Sequence, residues 1–135
     1  MSQVQDAAAT ERRREAADLY LVVGLEVAAL LLWAAYDAAD VPLRATVGDG
    51  VETLGVAAVV ITTSLVTVAG IGLRWLLRNR DGGLRLWSRI AGALWVVSFL
   101  GPLGAPTSES MFALASFHLL VGGGIFFGVR RIHGR

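Results

Sequence analysis

The sequence predicts an all-α membrane protein in which four transmembrane helices form an antiparallel bundle. Two of the observations behind this prediction are the apolar stretches and the overall composition. The 135 residues contain four apolar stretches, and 55% of all residues are hydrophobic, with a mean hydropathy of +0.61. A bilayer core of about 30 Å needs roughly 20 apolar residues in a helix, and each stretch is close to that length. The composition as a whole is more apolar than that of a soluble domain.

The distribution of arginine is the third observation, and it also predicts the orientation. Eleven of the twelve arginines fall on one side of the four stretches, and only Arg44 lies on the other side, among acidic residues. Because cationic residues stay on the cytoplasmic face during insertion, we expect both termini to be cytoplasmic. The eleven are Arg12, Arg13, Arg14, Arg74, Arg78, Arg80, Arg85, Arg89, Arg130, Arg131 and Arg135.

The apolar stretches divide the chain into a cytoplasmic segment (residues 1–18), a transmembrane domain (19–131) and a cytoplasmic tail (132–135). The first segment is polar and rich in alanine, so it is either a short helix or disordered. The predicted transmembrane helices cover residues 19–36, 54–73, 86–103 and 111–129.

A signal peptide is the alternative interpretation of the first stretch. Eighteen residues precede this stretch, it is longer than a normal signal core, and Glu26 interrupts it. These features favour a retained helix.

Aromatic residues lie near the ends of the stretches, as they do at membrane interfaces. The predicted inner boundary is marked by Tyr20, Trp75 and Trp87, and the outer boundary by Trp33 and Tyr36. Trp95 falls near the middle of the third stretch, so we expect it to pack inside the bundle.

The connections carry turn and cap signals. Asp49 and Glu52 have the spacing of an N-cap and its acidic partner, which predicts the start of the second helix. Residues 79–83 form a predicted tight polar turn. Thr107 is the predicted cap of the fourth helix. Pro102 lacks an N–H group and therefore leaves the carbonyl of Ser98 without its helical donor.

Glu26 is the acidic residue at membrane depth, roughly 10 Å from the cytoplasmic boundary by helical rise. A carboxylate is costly there, so we expect it to be protonated, paired or in contact with water. Gly24 and Ala28 lie on the opposite side of the helix and favour close packing. If they pack inside the bundle, Glu26 faces a second subunit. If Glu26 faces inward, its expected neighbour is Thr67.

His118 is the second polar group, about 10 Å from the outer boundary by the same rise. Gly122 shares its face, which predicts contact with another helix. Ser98, and Thr62 or Thr63, reach a similar depth on other helices. The sequence therefore predicts a buried polar layer in which a neutral imidazole bonds to Ser98, with a titrating functional site as the alternative.

Three glycines of the fourth stretch, Gly122, Gly124 and Gly128, favour close helix packing. The chain has no cysteine, which excludes disulfides, thiolate metal sites and iron–sulfur clusters. No catalytic set, phosphate loop or metal-ligand spacing is recognisable. Haem would require His118 from two subunits. We therefore expect no cofactor, no metal, no catalytic residue and no nucleic-acid partner.

Two segments carry a resemblance to a known family. One is Ser98-Phe99-Leu100-Gly101-Pro102-Leu103, followed by Ala115-Ser116-Phe117-His118-Leu119-Leu120-Val121; the other is Glu52-Thr53-Leu54-Gly55-Val56. The chain resembles a family of small four-helix membrane proteins of bacteria and archaea classed as a domain of unknown function. The resemblance implies the architecture and a packing role for Pro102 and His118. It implies no activity.

The leading functional hypothesis is a non-enzymatic accessory or structural protein of the cytoplasmic membrane. The alternative is a small dimeric proton-coupled exporter that uses Glu26, and a third is a membrane enzyme or haem protein built around His118. The expected partners are the lipid bilayer and either a second copy or a larger membrane complex.

Overall fold

A computed structural model describes residues 2–134, with side chains from Gln5 onward. Met1 and Arg135, one of the eleven arginines, lie outside the described residues. Four helical spans are each long and apolar enough to cross a bilayer, which confirms the all-α part of the prediction and its four candidate membrane spans. The spans are Gln5–Ala38, Val56–Leu76, Gly83–Leu103 and Ser108–His133. Large apolar side chains on their outer faces, such as Leu31, Leu65 and Val96, are exposed and indicate contact with lipid.

The first helix, α1 (Ser2–Ala38), is much longer than the apolar stretch inside it. The polar N-terminal segment continues the same helix, so the helical alternative for residues 1–18 is correct for its described part. Alanine has the highest helix propensity of all residues, and this segment is rich in it. Glu11 in this extension lies 3.5 Å from the guanidinium of Arg78.

A small β-hairpin follows α1, formed by β1 (Arg44–Val47) and β2 (Gly50–Thr53). Its two-residue turn begins at Gly48, whose φ of 59° belongs to the region that glycine adopts without strain. The predicted cap at Asp49 and Glu52 is therefore wrong. Asp49 is in the hairpin turn and Glu52 pairs with Ala45, because the alternating Ala-Thr-Val and Val-Glu-Thr segments favour strands.

The second and third spans meet in a short turn. Helix α2 (Val56–Leu76) begins after Gly55, and α3 (Gly83–Ser98) begins after Gly82, whose φ is 69°. The predicted polar turn thus lies where expected. A short helix, α4 (Leu100–Leu103), completes the third span, and its Pro102 is fully buried. The break between α3 and α4 follows from the missing N–H group of Pro102.

The fourth span consists of α5 (Ser108–Phe117), a π-helical turn (His118–Gly122) and α6 (Gly123–His133). The Thr107 hydroxyl accepts a hydrogen bond from the Ser110 amide at 3.2 Å, which confirms the predicted cap. The fourth span packs against all three other spans, and so does α2.

Two apolar clusters hold the bundle. The cluster at the end where the arginines gather, here called the arginine-rich end, is centred on Leu25, Trp87 and Val129. The cluster at the hairpin end is centred on Leu43 and Leu114. Trp87, predicted to mark the inner membrane boundary, packs inside the bundle and does not face lipid. Its side chain is fully buried, and its indole N–H donates to the Gly70 carbonyl at 2.8 Å.

Candidate functional site

A crevice of about 540 Å³ lies between α2, α3 and the fourth span, and we call it the lateral crevice. Its walls are formed by Ala58–Leu73 of α2, Ala91–Ser98 of α3 and Leu114–Phe126 of the fourth span. Leu43 and Leu54, which flank the hairpin, line its hairpin end. It therefore runs along much of the length of α2.

The crevice opens sideways between α2 and α3. On its rim, Val66 is 45% exposed and Leu94 is 63% exposed, and Ala69 is also exposed. On its back wall, Leu114 and Ile125 of the fourth span are buried. Because the exposed faces of these spans are apolar, the opening faces lipid.

The lining is almost entirely apolar. Its polar side chains are Thr62, Thr63, Ser98, His118 and the indole of Trp95, and no charged side chain is among the described lining residues. An apolar cavity with a few polar groups is the usual form of a site for a small apolar molecule.

His118 has one engaged and one unengaged ring nitrogen. Nδ1 lies 2.8 Å from the carbonyl oxygen of Leu114, one turn earlier. A carbonyl oxygen can only accept, so Nδ1 carries the hydrogen, and Nε2 of the neutral ring is an acceptor. Among the residues whose side chains are described, none hydrogen-bonds Nε2. The ring also contacts Phe99, with the centroids 5.9 Å apart.

The predicted bond between His118 and Ser98 is wrong. The Ser98 hydroxyl donates to the Trp95 carbonyl at 2.6 Å, because a serine in a helix reaches the carbonyls of its own preceding turn. Ser98, Thr63 and His118 all line the lateral crevice, but they do not form a hydrogen-bonded layer.

The π-helical turn carries His118 at its start and Gly122 at its end. The indole N–H of Trp95 donates to the His118 carbonyl at 2.8 Å, and a Cβ atom at Gly122 would overlap the same indole ring. Trp95 also stacks on Phe126, with the centroids 5.9 Å apart. Trp95 thus lies inside the bundle and joins α3 to the π-helical turn. Single π-helical turns inside α-helices are rare and frequently occur at functional sites.

Two further glycines of the fourth span pack against α1. A Cβ atom at Gly124 would overlap Leu25, and one at Gly128 would overlap Leu21. Both positions allow α1 and α6 to approach closely.

Gly24 does not have the predicted packing role. It is exposed, and a Cβ atom added there would meet no atom within 4 Å. Ala28 is half-buried beside Ser116 and Leu120, on a shallow groove between α1 and the fourth span. The most buried residues of α1 are instead Leu25 and Ala29, so the contact surface is displaced by one residue from the predicted Gly24–Ala28 face.

Glu26 faces α2 and not a lipid-exposed surface. The Ser64 hydroxyl donates a hydrogen bond to its Oε1 atom. Its Oε2 atom is buried and has no hydrogen-bond partner among the described residues. Glu26 does not line the lateral crevice. The arrangement that would have directed it toward a second subunit is therefore absent from this fold.

Thr67, the expected neighbour of Glu26, is fully buried and donates to the carbonyl of Thr63 at 2.7 Å. The sequence does not single out Ser64, because three hydroxyl residues lie near the depth of Glu26, at Thr63, Ser64 and Thr67. A rotation of α2 by one residue decides which of them meets α1.

A second polar contact was also missed. His133, which the sequence places in the tail, lies 3.0 Å from Asp18 at the start of the first apolar stretch. Both side chains are mostly buried. The sequence could have predicted this contact, because Asp18 and His133 both lie at the predicted cytoplasmic ends of spans. On α2, the Nε and Nη1 atoms of Arg74 are buried without a hydrogen-bond partner among the described residues.

Comparison with known proteins identifies the family of this chain. The profile of a family of unknown function, DUF6069, matches residues 9–135. The chain belongs to the DUF6069 family. The match extends over all four spans, so the whole bundle is the DUF6069 domain, and the resemblance seen in the sequence is confirmed. No curated protein and no solved structure matches the chain.

Proposed function

We propose that the protein is a non-enzymatic, multi-pass component of the cytoplasmic membrane with both termini in the cytoplasm. The observation that carries the orientation is the asymmetry of the arginines. Glu11 lies beside Arg78 and Asp18 beside His133, so the N-terminal extension and the C-terminal end of α6 share the arginine-rich end. These contacts bring the N-terminal extension, the α2–α3 turn and the C-terminal end together.

The orientation is tested with single cysteines, which this cysteine-free chain accepts without background. Arg80→Cys and Asp49→Cys place thiols at exposed positions at opposite ends of the bundle. In intact cells, we expect an impermeant thiol reagent to label position 49 and not position 80. Labelling of position 80 alone would reverse the proposed orientation.

The positions of the two membrane-depth polar groups support a non-enzymatic role. Glu26 is engaged by Ser64 at the α1–α2 contact, while His118 lies on the crevice wall. The acid and the imidazole therefore occupy different parts of the bundle and do not form an acid–base pair. We propose that the protein acts by binding and packing in the membrane, as an accessory or assembly component.

An exporter that uses Glu26 is the alternative, and the buried, unpartnered Oε2 atom is the observation in its favour. Coupled export requires protons and substrate to compete for the carboxylate. The placement of Glu26 outside the lateral crevice favours the structural role instead.

The oligomeric state can be measured after purification in mild detergent. We propose a monomer that associates with a larger membrane complex, because Glu26 is already engaged within one chain. Recovery of a stable dimer that contains only this chain would contradict this part of the proposal.

A further inference from the structure

We propose that the lateral crevice is a binding site for a neutral, apolar molecule that carries one hydroxyl group and enters from the bilayer, with the Nε2 atom of His118 accepting a hydrogen bond from that hydroxyl. The site is independent of the orientation of the protein in the membrane. It is also independent of the Glu26–Ser64 contact.

The shape of the crevice sets the apolar character of the ligand. Its volume of about 540 Å³ lies within the range of small-molecule sites, roughly 300–1,000 Å³. Its long walls are apolar, and the rim formed by Val66, Ala69 and Leu94 is open between α2 and α3. A molecule dissolved in the hydrocarbon can therefore enter without crossing the polar ends of the bundle.

The absence of charge from the described lining determines that the ligand is neutral. A charged ligand in the crevice would lose its hydration with no opposite charge from the protein. Glu26, the acid at membrane depth, contacts Ser64 and is not part of the crevice wall. The site therefore differs from one that recognises a cation or an anion.

His118 determines the polar group of the ligand. Its Nδ1 is tied to the Leu114 carbonyl, so the ring is held in one tautomer with Nε2 as an acceptor. An acceptor in an apolar environment gains most from a ligand that supplies a donor. An alcohol or phenol supplies one O–H donor and remains neutral.

The π-helical turn is the second observation that points to a built site. It begins at His118, and the Trp95 indole fixes it by donating to the His118 carbonyl at 2.8 Å. Gly122 at its other end allows the indole to lie directly against the helix. The irregular turn, the anchored imidazole and the indole thus converge on one wall of the crevice.

The test uses two matched probes and the purified protein in lipid nanodiscs. The probes are 4-dodecylphenol, which has a hydroxyl donor, and 4-dodecylanisole, its methyl ether, which has none. Saturable binding is measured by quenching of tryptophan fluorescence and by native mass spectrometry. We expect the parent protein to bind the phenol about tenfold more tightly than the ether, the ratio that one hydrogen bond supplies.

Two pairs of variants locate the site. Ala69→Phe fills the crevice from its exposed rim and should abolish binding of both probes, while Val68→Phe, at an exposed position outside the crevice, should leave it unchanged. His118→Phe should remove the preference for the phenol, so that both probes bind with about equal affinity. Glu26→Gln should preserve the preference.

The outcomes separate the parts of the proposal. No saturable binding to the parent, or equal binding to Ala69→Phe and the parent, would overturn the crevice as a site. A phenol preference that survives in a folded His118→Phe would overturn the role of Nε2. Should Ala69→Phe disrupt a protein–protein complex while the parent binds neither probe, the occupant is a partner helix and the proposal is wrong.

Discussion

Glu26 and His118 are the two membrane-depth residues that invite a functional explanation, and the fold places them in different environments. Glu26 lies between α1 and α2, where Ser64 donates to one of its oxygens. His118 lies on the wall of the lateral crevice, with one ring nitrogen tied to its own helix and the other unengaged. One side chain holds two helices together, while the other faces a cavity that is open to the bilayer.

The comparison shows that burial depth alone does not identify a functional group in a membrane protein. By residue type, Glu26 has the higher free-energy cost of burial in the membrane and is therefore the stronger candidate for a functional group. By surroundings, His118 is the group that a ligand can reach. Whether each residue is structural or functional depends on its hydrogen-bond partner and on the space beside its side chain. Both depend on how the helices are rotated about their axes.

The largest expected effect concerns the helix contact beside His118. Gly122→Leu would force side-chain atoms into the Trp95 ring, so we expect a loss of about 3 kcal/mol of unfolding free energy, near the upper end for overpacked cores. The measurement is thermal or denaturant unfolding in detergent.

Gly24→Leu is the matched control, because a side chain at position 24 points into open space. Leucine has a higher helix propensity than glycine, so this variant should equal or exceed the parent in stability. If the two glycine variants lose the same stability, the assignment of the packing face is wrong.

A smaller effect tests the Glu26 side of the comparison. Ser64→Ala leaves the Glu26 carboxyl without its hydroxyl donor, and we expect a loss of about 2 kcal/mol. Ser88→Ala, which removes a hydroxyl that donates only to its own helix at Leu84, should cost less than about 0.5 kcal/mol. Equal losses in the two variants would show that Ser64 does not support Glu26.

The Trp95 indole allows a finer test of the His118 side. Trp95→Phe removes the donor to the His118 carbonyl while keeping an aromatic ring, so we expect a loss of about 1 kcal/mol. The stability of Trp75→Phe should stay within about 0.5 kcal/mol of the parent, since Trp75 is 60% exposed. A more stable Trp95→Phe would mean that the π-helical turn is strained by this contact.

The smallest effect is expected at the arginine-rich end, outside both sites. Glu11→Gln weakens the exposed pair with Arg78, and surface ion pairs contribute about 0–1 kcal/mol. We expect a change of only a few tenths of a kcal/mol that disappears in high salt. A larger effect would show that the N-terminal extension is an integral part of the bundle.

The spans could be predicted because their signals are properties of whole segments. Apolar length defines a span whatever its neighbours are, and the Thr107 cap depends only on adjacent residues. The helix ends were less predictable. The alanine-rich segment before Asp18 extends α1, although it has no apolar pattern that would predict a span. The hairpin from Arg44 to Thr53 contains a Gly-Asp turn, and the spacing of Asp49 and Glu52 in it resembles that of a helix cap.

The candidate site could be predicted only in part, because it depends on how the helices are rotated against one another. The position of His118 along its helix identified it as a polar group at membrane depth. Its predicted partner, Ser98, instead donates to a carbonyl of its own helix. Gly24 and Ala28 suggested a packing face that Leu25 and Ala29 occupy. The π-helical turn has no signal in helical periodicity, since it is an irregularity of that periodicity.

The central claim is that Glu26 is a structural acid and not a coupling site, and proton flux tests it most directly. Parent protein and Glu26→Gln are reconstituted in liposomes under a pH gradient, with cationic dyes as trial substrates. Glutamine retains an oxygen that can accept the Ser64 bond, so both proteins should fold and should show the same proton leak and the same dye flux. Dye flux that is driven by the gradient in the parent and lost in a folded Glu26→Gln would contradict the claim.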